Sequence, residues 1–309
     1  MRELLRRIMS AVYVEGGPDQ GAIWHFGEPV KEQRALEAGS AFADLSHLPA
    51  VGISGADRLT WIHSLCTQDV EKLQPGEWKS GFILDPQGHL QFPLLMVDDG
   101  QTLFIFTEIA SLSPLISFLE SMKFMLQVAV RDASSEVALF RAPGKSDQIG
   151  GPYALVPRAE IKSMSANFAL TALQVGTWAL DAERVAAGRA RFGFESDQKT
   201  IPNELGLLNI AVHMNKGCYR GQETVAKVFN LGKPPRRLTL LHLDGSGVDL
   251  PSPGDQVTLD GKSIGFLGTV ARHHELGPIA LAVLKRSIPL DATVLAGTVL
   301  ATQEEIVAP

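Results

Sequence analysis

Cysteine is scarce in this chain: Cys66 and Cys218 are the two that 309 residues carry, and they lie far apart with no CxxC pair. Such spacing supports neither a disulfide framework nor a four-thiolate zinc site within one chain. The same shortage excludes a self-contained Fe–S cluster, which takes four thiolates, and no metal is expected. Long hydrophobic runs are missing too. The longest apolar stretches, such as residues 92–97, fall far short of the roughly 20 residues that a membrane-spanning helix needs. The basic start Met1-Arg2-Glu3-Leu4-Leu5-Arg6-Arg7 runs on to Glu15 and Gly16 without a sustained apolar core or a small-residue cleavage site. These absences predict a cytoplasmic protein with no membrane partner. A surplus of positive charge is also lacking, and a net charge of -6 argues against direct nucleic-acid binding. Any anionic ligand has to be met locally.

What the chain does have is ordinary globular composition, 45% hydrophobic and 20% charged, over more length than one core usually organises. Two or three domains are expected. Residues 51–132 open on Val51-Gly52-Ile53 and continue into a helix over 56–66, where Leu59, Ile62 and Cys66 recur at helical spacing. That stripe marks Cys66 as a packing residue. Three apolar runs follow at 78–84, 90–97 and 102–107, separated by Asp85-Pro86-Gln87-Gly88 and Asp98-Asp99-Gly100, both turn chemistry. Ser113-Pro114 then predicts a helix start, with Leu115, Leu119, Met122 and Leu126 on one face. The order resembles a ferredoxin-like split βαβ unit with an extra strand. From residue 236 to 309 short apolar runs at 238–243, 256–259, 264–271 and 279–284 predict a small β-barrel or sandwich. The two prolines of Leu231-Gly232-Lys233-Pro234-Pro235 mark the join to it. Residues 1–50 and 133–235 are left as a discontinuous central domain, with a helix over 173–187.

Chemistry concentrates between Met214 and Arg237. Lys216, Arg220, Lys227, Lys233, Arg236 and Arg237 face one acid, Glu223, a local charge of +5 in a chain of net -6. Such a window reads as an anion site or as a solvated basic loop. Cys218 favours the first reading, because a thiol set between Lys216 and Arg220 in a polar, glycine-rich run is poor core material and a candidate nucleophile, redox thiol or transient metal ligand. Gly217 and Gly221 bracket it and allow a tight turn or a close approach to the backbone.

The run Lys216-Gly217-Cys218-Tyr219-Arg220-Gly221-Gln222-Glu223 resembles the K-G-C-Y-x-G-Q-E signature of the YgfZ-type folate-binding family, relatives of the glycine-cleavage aminomethyltransferase. Asp44-Leu45-Ser46-His47, Gly55-Ala56-Asp57, Trp61-Ile62-His63-Ser64-Leu65, Asp85-Pro86-Gln87-Gly88, Gly188-Arg189-Ala190-Arg191-Phe192-Gly193 and Thr200-Ile201-Pro202-Asn203-Glu204 extend the resemblance over nearly the whole chain. It implies an α+β, three-lobed aminomethyltransferase-like fold around a central channel, with a ferredoxin-like lobe, a C-terminal barrel, and tetrahydrofolate or a derivative as cofactor. Cys218 would be the catalytic residue, and Lys216, Tyr219, Arg220, Gln222, Glu223 and Lys227 would surround the folate. Phe192 and Trp178 are further stacking candidates. The implied role is a folate-dependent accessory factor for assembly or repair of Fe–S clusters, its partners being Fe–S client enzymes, tRNA-modifying ones included, or cluster-assembly proteins. A tetrahydrofolate-dependent one-carbon transferase is the alternative, and a pure folate-binding or sensing module a third. Two positions depart from the relatives. Phe92 and Pro93 stand where an aspartate pair serves one-carbon transfer, and Ala186 stands where an acid can hold the pterin. Glu183 and Glu204 are the nearest substitutes, while His47 and His63 read as structural.

Overall fold

The computed structural model describes residues 10–145, 151–247 and 249–308. The chain divides into two compact units. One is built from the chain up to Leu84, Gln91–Leu180 and Ile210–Arg220; the other from Asp85–Leu90, Asp181–Asn209 and the chain from Gly221 onward.

The first unit holds a five-stranded sheet in the order Trp78–Leu84, Leu90–Asp98, Thr102–Phe106, Ala50–Ser54, Ala129–Asp132. This is a ferredoxin-like arrangement with Thr102–Phe106 inserted at the centre, antiparallel to both neighbours. Alternation along the strands decides which side chains go where. Val51, Ile53, Met96, Leu103 and Ile105 meet the helices Arg58–Leu65 and Leu112–Met122 in one core. Val97, Phe104 and Phe106 point the other way and pack with Val137 and Leu139. Those last two lie on a four-stranded sheet ordered Tyr153–Pro157, Val137–Arg141, Ala41–Asp44, Leu173–Gln174.

Three helix boundaries differ from the sequence reading. The helix expected over 173–187 is a short strand, Leu173–Gln174, followed by a helix, Thr177–Ala186. Gly176 breaks it because the backbone of Trp24 passes there, and a Cβ would sit 2.1 Å from the Trp24 carbonyl oxygen. The second helix of the ferredoxin-like sheet begins at Leu112 after a single turn of 3-10 helix, Ile109–Ser111, so Ser113, expected as its N-cap, lies inside it, while Pro114 falls in the first turn as expected. It ends at Met122, and Leu126, expected on its apolar face, is 40% exposed beyond it.

The second unit ends in a closed six-stranded barrel in the order Arg236–Leu243, Gly277–Lys285, Lys262–His273, Gln256–Leu259, Val294–Ala296, Val299–Glu305. Leu241, Leu243, Val257, Leu267, Ala280, Ala282 and Leu284 fill it. No helix among the described residues is long and apolar enough to cross a membrane.

Candidate functional site

The signature loop is positioned by stitches within the first unit. The Thr67 hydroxyl donates to the Ala211 carbonyl at 2.7 Å, the His213 N–H to the Thr67 carbonyl at 2.9 Å, and the Gln68 amide to the Ile210 carbonyl at 3.0 Å. Residues 210–213 are thereby tied to the chain just beyond the helix Arg58–Leu65. From there the loop rises to Lys216, whose side chain turns inward. Its ammonium donates to the carbonyls of Cys66 at 2.6 Å and Gln68 at 3.1 Å, and to that of His63. Burial pushes the Lys216 ammonium below the ordinary lysine range.

Tyr219 is also buried, with its ring 5.4 Å from the Lys216 nitrogen, and burial pushes its hydroxyl up to about 12. Gly217 and Cys218 between these two anchors are exposed. The thiol therefore stands on a two-residue arch. Cys66 is the opposite case: it is fully buried beyond the helix Arg58–Leu65, its thiol donates to the Gln68 carbonyl, and burial pushes that thiol up.

Arg220 is half-buried, with its guanidinium 5.4 Å from the centre of the Phe118 ring, and no carboxylate pairs with it among the described residues. It is a cation held in place by an aromatic face.

In the second unit Gly221 begins the helix Gln222–Leu231 with φ +78°. Here glycine is required twice over. A Cβ on Gly221 would lie 2.4 Å from the Asp85 carbonyl oxygen and 2.9 Å from the Gly88 Cα, and one on Gly88, at φ +88°, would lie 2.7 Å from the Thr224 Cβ. Two glycine turns thus interlock, which is what Asp85-Pro86-Gln87-Gly88 contributes. Gly217, by contrast, has open space around it. Gln222 is half-buried, while Glu223 and Lys227 are exposed. Glu223 lies in the first turn, where the helix dipole favours an acid.

Not all of the basic window remains available as charge. The Arg236 guanidinium donates to both Glu204 oxygens, at 2.9 and 2.8 Å, and to both Asp197 oxygens, at 2.6 and 3.0 Å. Burial works against that guanidinium, but the two carboxylates hold its charge more firmly than in an ordinary arginine; Arg236 in turn holds Asp197 far below the usual carboxylate range. Arg237, fully buried, donates to the carbonyls of Lys285, Arg286 and Ile288 and to the Gln303 side chain. Glu204, a candidate substitute for the missing pterin acid on sequence grounds, is consequently committed to Arg236.

At the other departure, Phe92 packs in the core with its ring 5.7 Å from that of Phe118, and the Pro93 carbonyl accepts from the Thr107 hydroxyl. No carboxylate occupies these positions. Of the stacking candidates, Trp178 lies 4.7 Å from Trp24 in a stacked pair. His47 and His63 are drawn to Asp19 and Asp69. Two polar atoms of the first unit that the sequence does not single out, Gln91 Oε1 and His213 Nδ1, are buried without a hydrogen-bond partner among the described residues. Nothing in the linear pattern marks them, since burial is what leaves them unpaired. Among the described residues no group of three or more His, Cys, Asp or Glu is placed to hold a metal ion.

No protein-family model matches the chain. It is 24% identical, over 84% of its length and 68% of the relative's, to a chloroplastic protein of Arabidopsis thaliana provisionally named a transferase. It is 23% identical to the aminomethyltransferase of Bacillus subtilis, over 84% of this chain and 83% of that one. A segment covering 35% of this chain is 32% identical to 34% of the tRNA-modifying protein YgfZ of Buchnera aphidicola. The fold matches the crystal structure of the glycine cleavage system aminomethyltransferase T from Bartonella henselae with a TM-score of 0.76 at 14% identity, covering 96% of this chain and 94% of that one. The aminomethyltransferase-like fold is thereby shown, and similarity along most of the chain supports membership of the aminomethyltransferase superfamily.

Proposed function

We propose that the chain binds tetrahydrofolate or a derivative and acts on the one-carbon unit it carries, as an aminomethyl- or methyltransferase-type protein. The observation that carries this reading is similarity to aminomethyltransferases over more than four-fifths of the chain, joined to the shared fold. Local chemistry fits the ligand. Arg220 and Lys227 have no carboxylate partner among the described residues, and either is free to meet the acidic tail of a folate. Gln91 Oε1 and His213 Nδ1 are unsatisfied buried atoms of the kind that a polar heterocycle pairs with. When bound, tetrahydrofolate supplies nitrogens that accept or carry a one-carbon unit. The protein contributes a locally fixed cation at Arg220 and an exposed thiol at Cys218. It does not contribute a carboxylate at Phe92 or Pro93, so proton handling differs from that of the glycine-cleavage enzymes.

A second reading, an accessory factor for assembly or repair of Fe–S clusters in client enzymes, is favoured by the segment similar to YgfZ and by the exposed thiol of its K-G-C-Y-x-G-Q-E loop. Calorimetric titration with tetrahydrofolate tests what the two share. Saturable binding is expected, weakened about fivefold by Arg220→Gln with a shallower salt dependence; a wild-type protein that binds no folate overturns both. Incubation with 13C-labelled methylene- or methyltetrahydrofolate then separates them. Label transfer that depends on Cys218 supports the transferase. Binding without transfer, with wild type but not Cys218→Ser restoring Fe–S enzyme activity in a strain lacking its own YgfZ-type protein, supports the accessory role.

A further inference from the structure

We propose that Lys216 is a positioning residue, a latch that holds the thiol-bearing arch down on the C-terminal end of the helix Arg58–Leu65, and not a cation that meets the ligand. The proposal rests on the functional reading only in taking Cys218 as the group being positioned. An ammonium has three hydrogens to donate. In Lys216 three carbonyl oxygens accept them, those of His63, Cys66 and Gln68, and no donor is left for a folate carboxylate.

The reason the site exists lies in how that helix ends. Its last carbonyls have no partner inside the helix. The Thr67 N–H, which would serve His63 had the helix continued, donates to the Phe82 carbonyl in the sheet. Cys66 itself is extended, at φ -102° and ψ 165°, so the carbonyls beyond the last turn diverge from the helix axis. The negative end of the helix dipole and the carbonyls of His63, Cys66 and Gln68 make a pocket for one cation. Lys216 reaches it from 150 residues away in sequence, bringing the loop with it. Tyr219 closes the other side, its buried ring against the same nitrogen. With residues 216 and 219 pinned, the exposed pair Gly217 and Cys218 has little freedom left. An arginine does not replace this latch, because a planar guanidinium fork cannot converge on three carbonyls from one nitrogen.

Chemical footprinting of the full chain by mass spectrometry tests this. In ligand-free wild type, acetic anhydride is expected to acylate Lys227 and spare Lys216, and iodoacetamide to alkylate Cys218 and spare Cys66. In Lys216→Met, with the far-UV circular dichroism of wild type, Cys66 alkylation is expected to rise about tenfold, as local opening of the helix end becomes easier. Lys216→Arg is expected to behave like Lys216→Met. Acylation of Lys216 as fast as Lys227 in the free protein, with protection only once tetrahydrofolate is added, overturns the latch and makes Lys216 a ligand contact. Full recovery of Cys66 protection in Lys216→Arg overturns it too, because charge alone would then suffice. Should the variants fail to fold, the wild-type acylation pattern still decides. It needs no folate, so an absence of folate binding would remove the functional reading and leave the latch standing.

Discussion

Lys216 and Arg236 are both partly or wholly withdrawn from water, but they are neutralised in different ways. Lys216 is held by the dipoles of three carbonyls, and burial lowers its affinity for its proton. Arg236 is held by two full negative charges, Asp197 and Glu204, and keeps its own more firmly than in water. The first arrangement fixes a loop without a counter-ion. In the second, loss of either sign strands the other, which makes it the more consequential for stability.

Removing the cation from the second region should have the largest effect. Arg236→Met leaves Glu204, 1% exposed, as a buried carboxylate without its counter-ion, still accepting from the Ile201 N–H, at a cost of about 2–4 kcal/mol. Urea denaturation reads it, and adding Glu204→Gln to Arg236→Met should recover part of the loss. If the single variant is as stable as wild type, the carboxylates are solvated and the contrast with Lys216 fails. A smaller effect is expected at the start of the helix that follows the first region. Gly221→Ala forces a Cβ against the Asp85 carbonyl at positive φ, costing about 1–3 kcal/mol. Gly217→Ala, with open space around it, should stay within about 0.5 kcal/mol. Equal losses at the two glycines would contradict the interlocked turns.

Acidification should distinguish the regions least strongly but most selectively. Asp197 has its proton affinity lowered in the folded chain, first by the hydrogen bond from Arg236. Its contribution is therefore present above the unfolded aspartate value of about 4 and is lost as pH falls below it. Because the Asp197 side chain is 43% exposed, solvent screening keeps the effect small. The melting temperature of wild type should fall on acidification below about pH 4, and less steeply in Asp197→Asn. Identical slopes would remove Asp197 from the account.

Much of the architecture is legible in the linear pattern, and for physical reasons. Alternating Val51, Ile53 and Leu103, Ile105 announce strands, and the glycine and aspartate turns between apolar runs announce hairpins. The barrel is visible in four runs. Its last strands, Val294–Ala296 and Val299–Glu305, are not, because the inward positions of a short strand such as Val-Leu-Ala-Thr-Gln-Glu-Glu carry little apolar pattern. The break at Gly176 is not legible either, since its cause is the Trp24 backbone far away in sequence. The octapeptide stands out as a unit, but the roles inside it do not. Lys216 and Tyr219 face inward, Cys218 faces out, and Gly221 rather than Gly217 is sterically constrained.

By itself the sequence determined the elements, the turns between them, and where cations and a thiol are concentrated, because these follow from short-range periodicity and composition. Tertiary structure alone decided which of those charges remain available. A lysine, an arginine beside carboxylates and an arginine beside carbonyls are alike in a linear window; they differ only in the oxygen atoms that folding brings within hydrogen-bond reach.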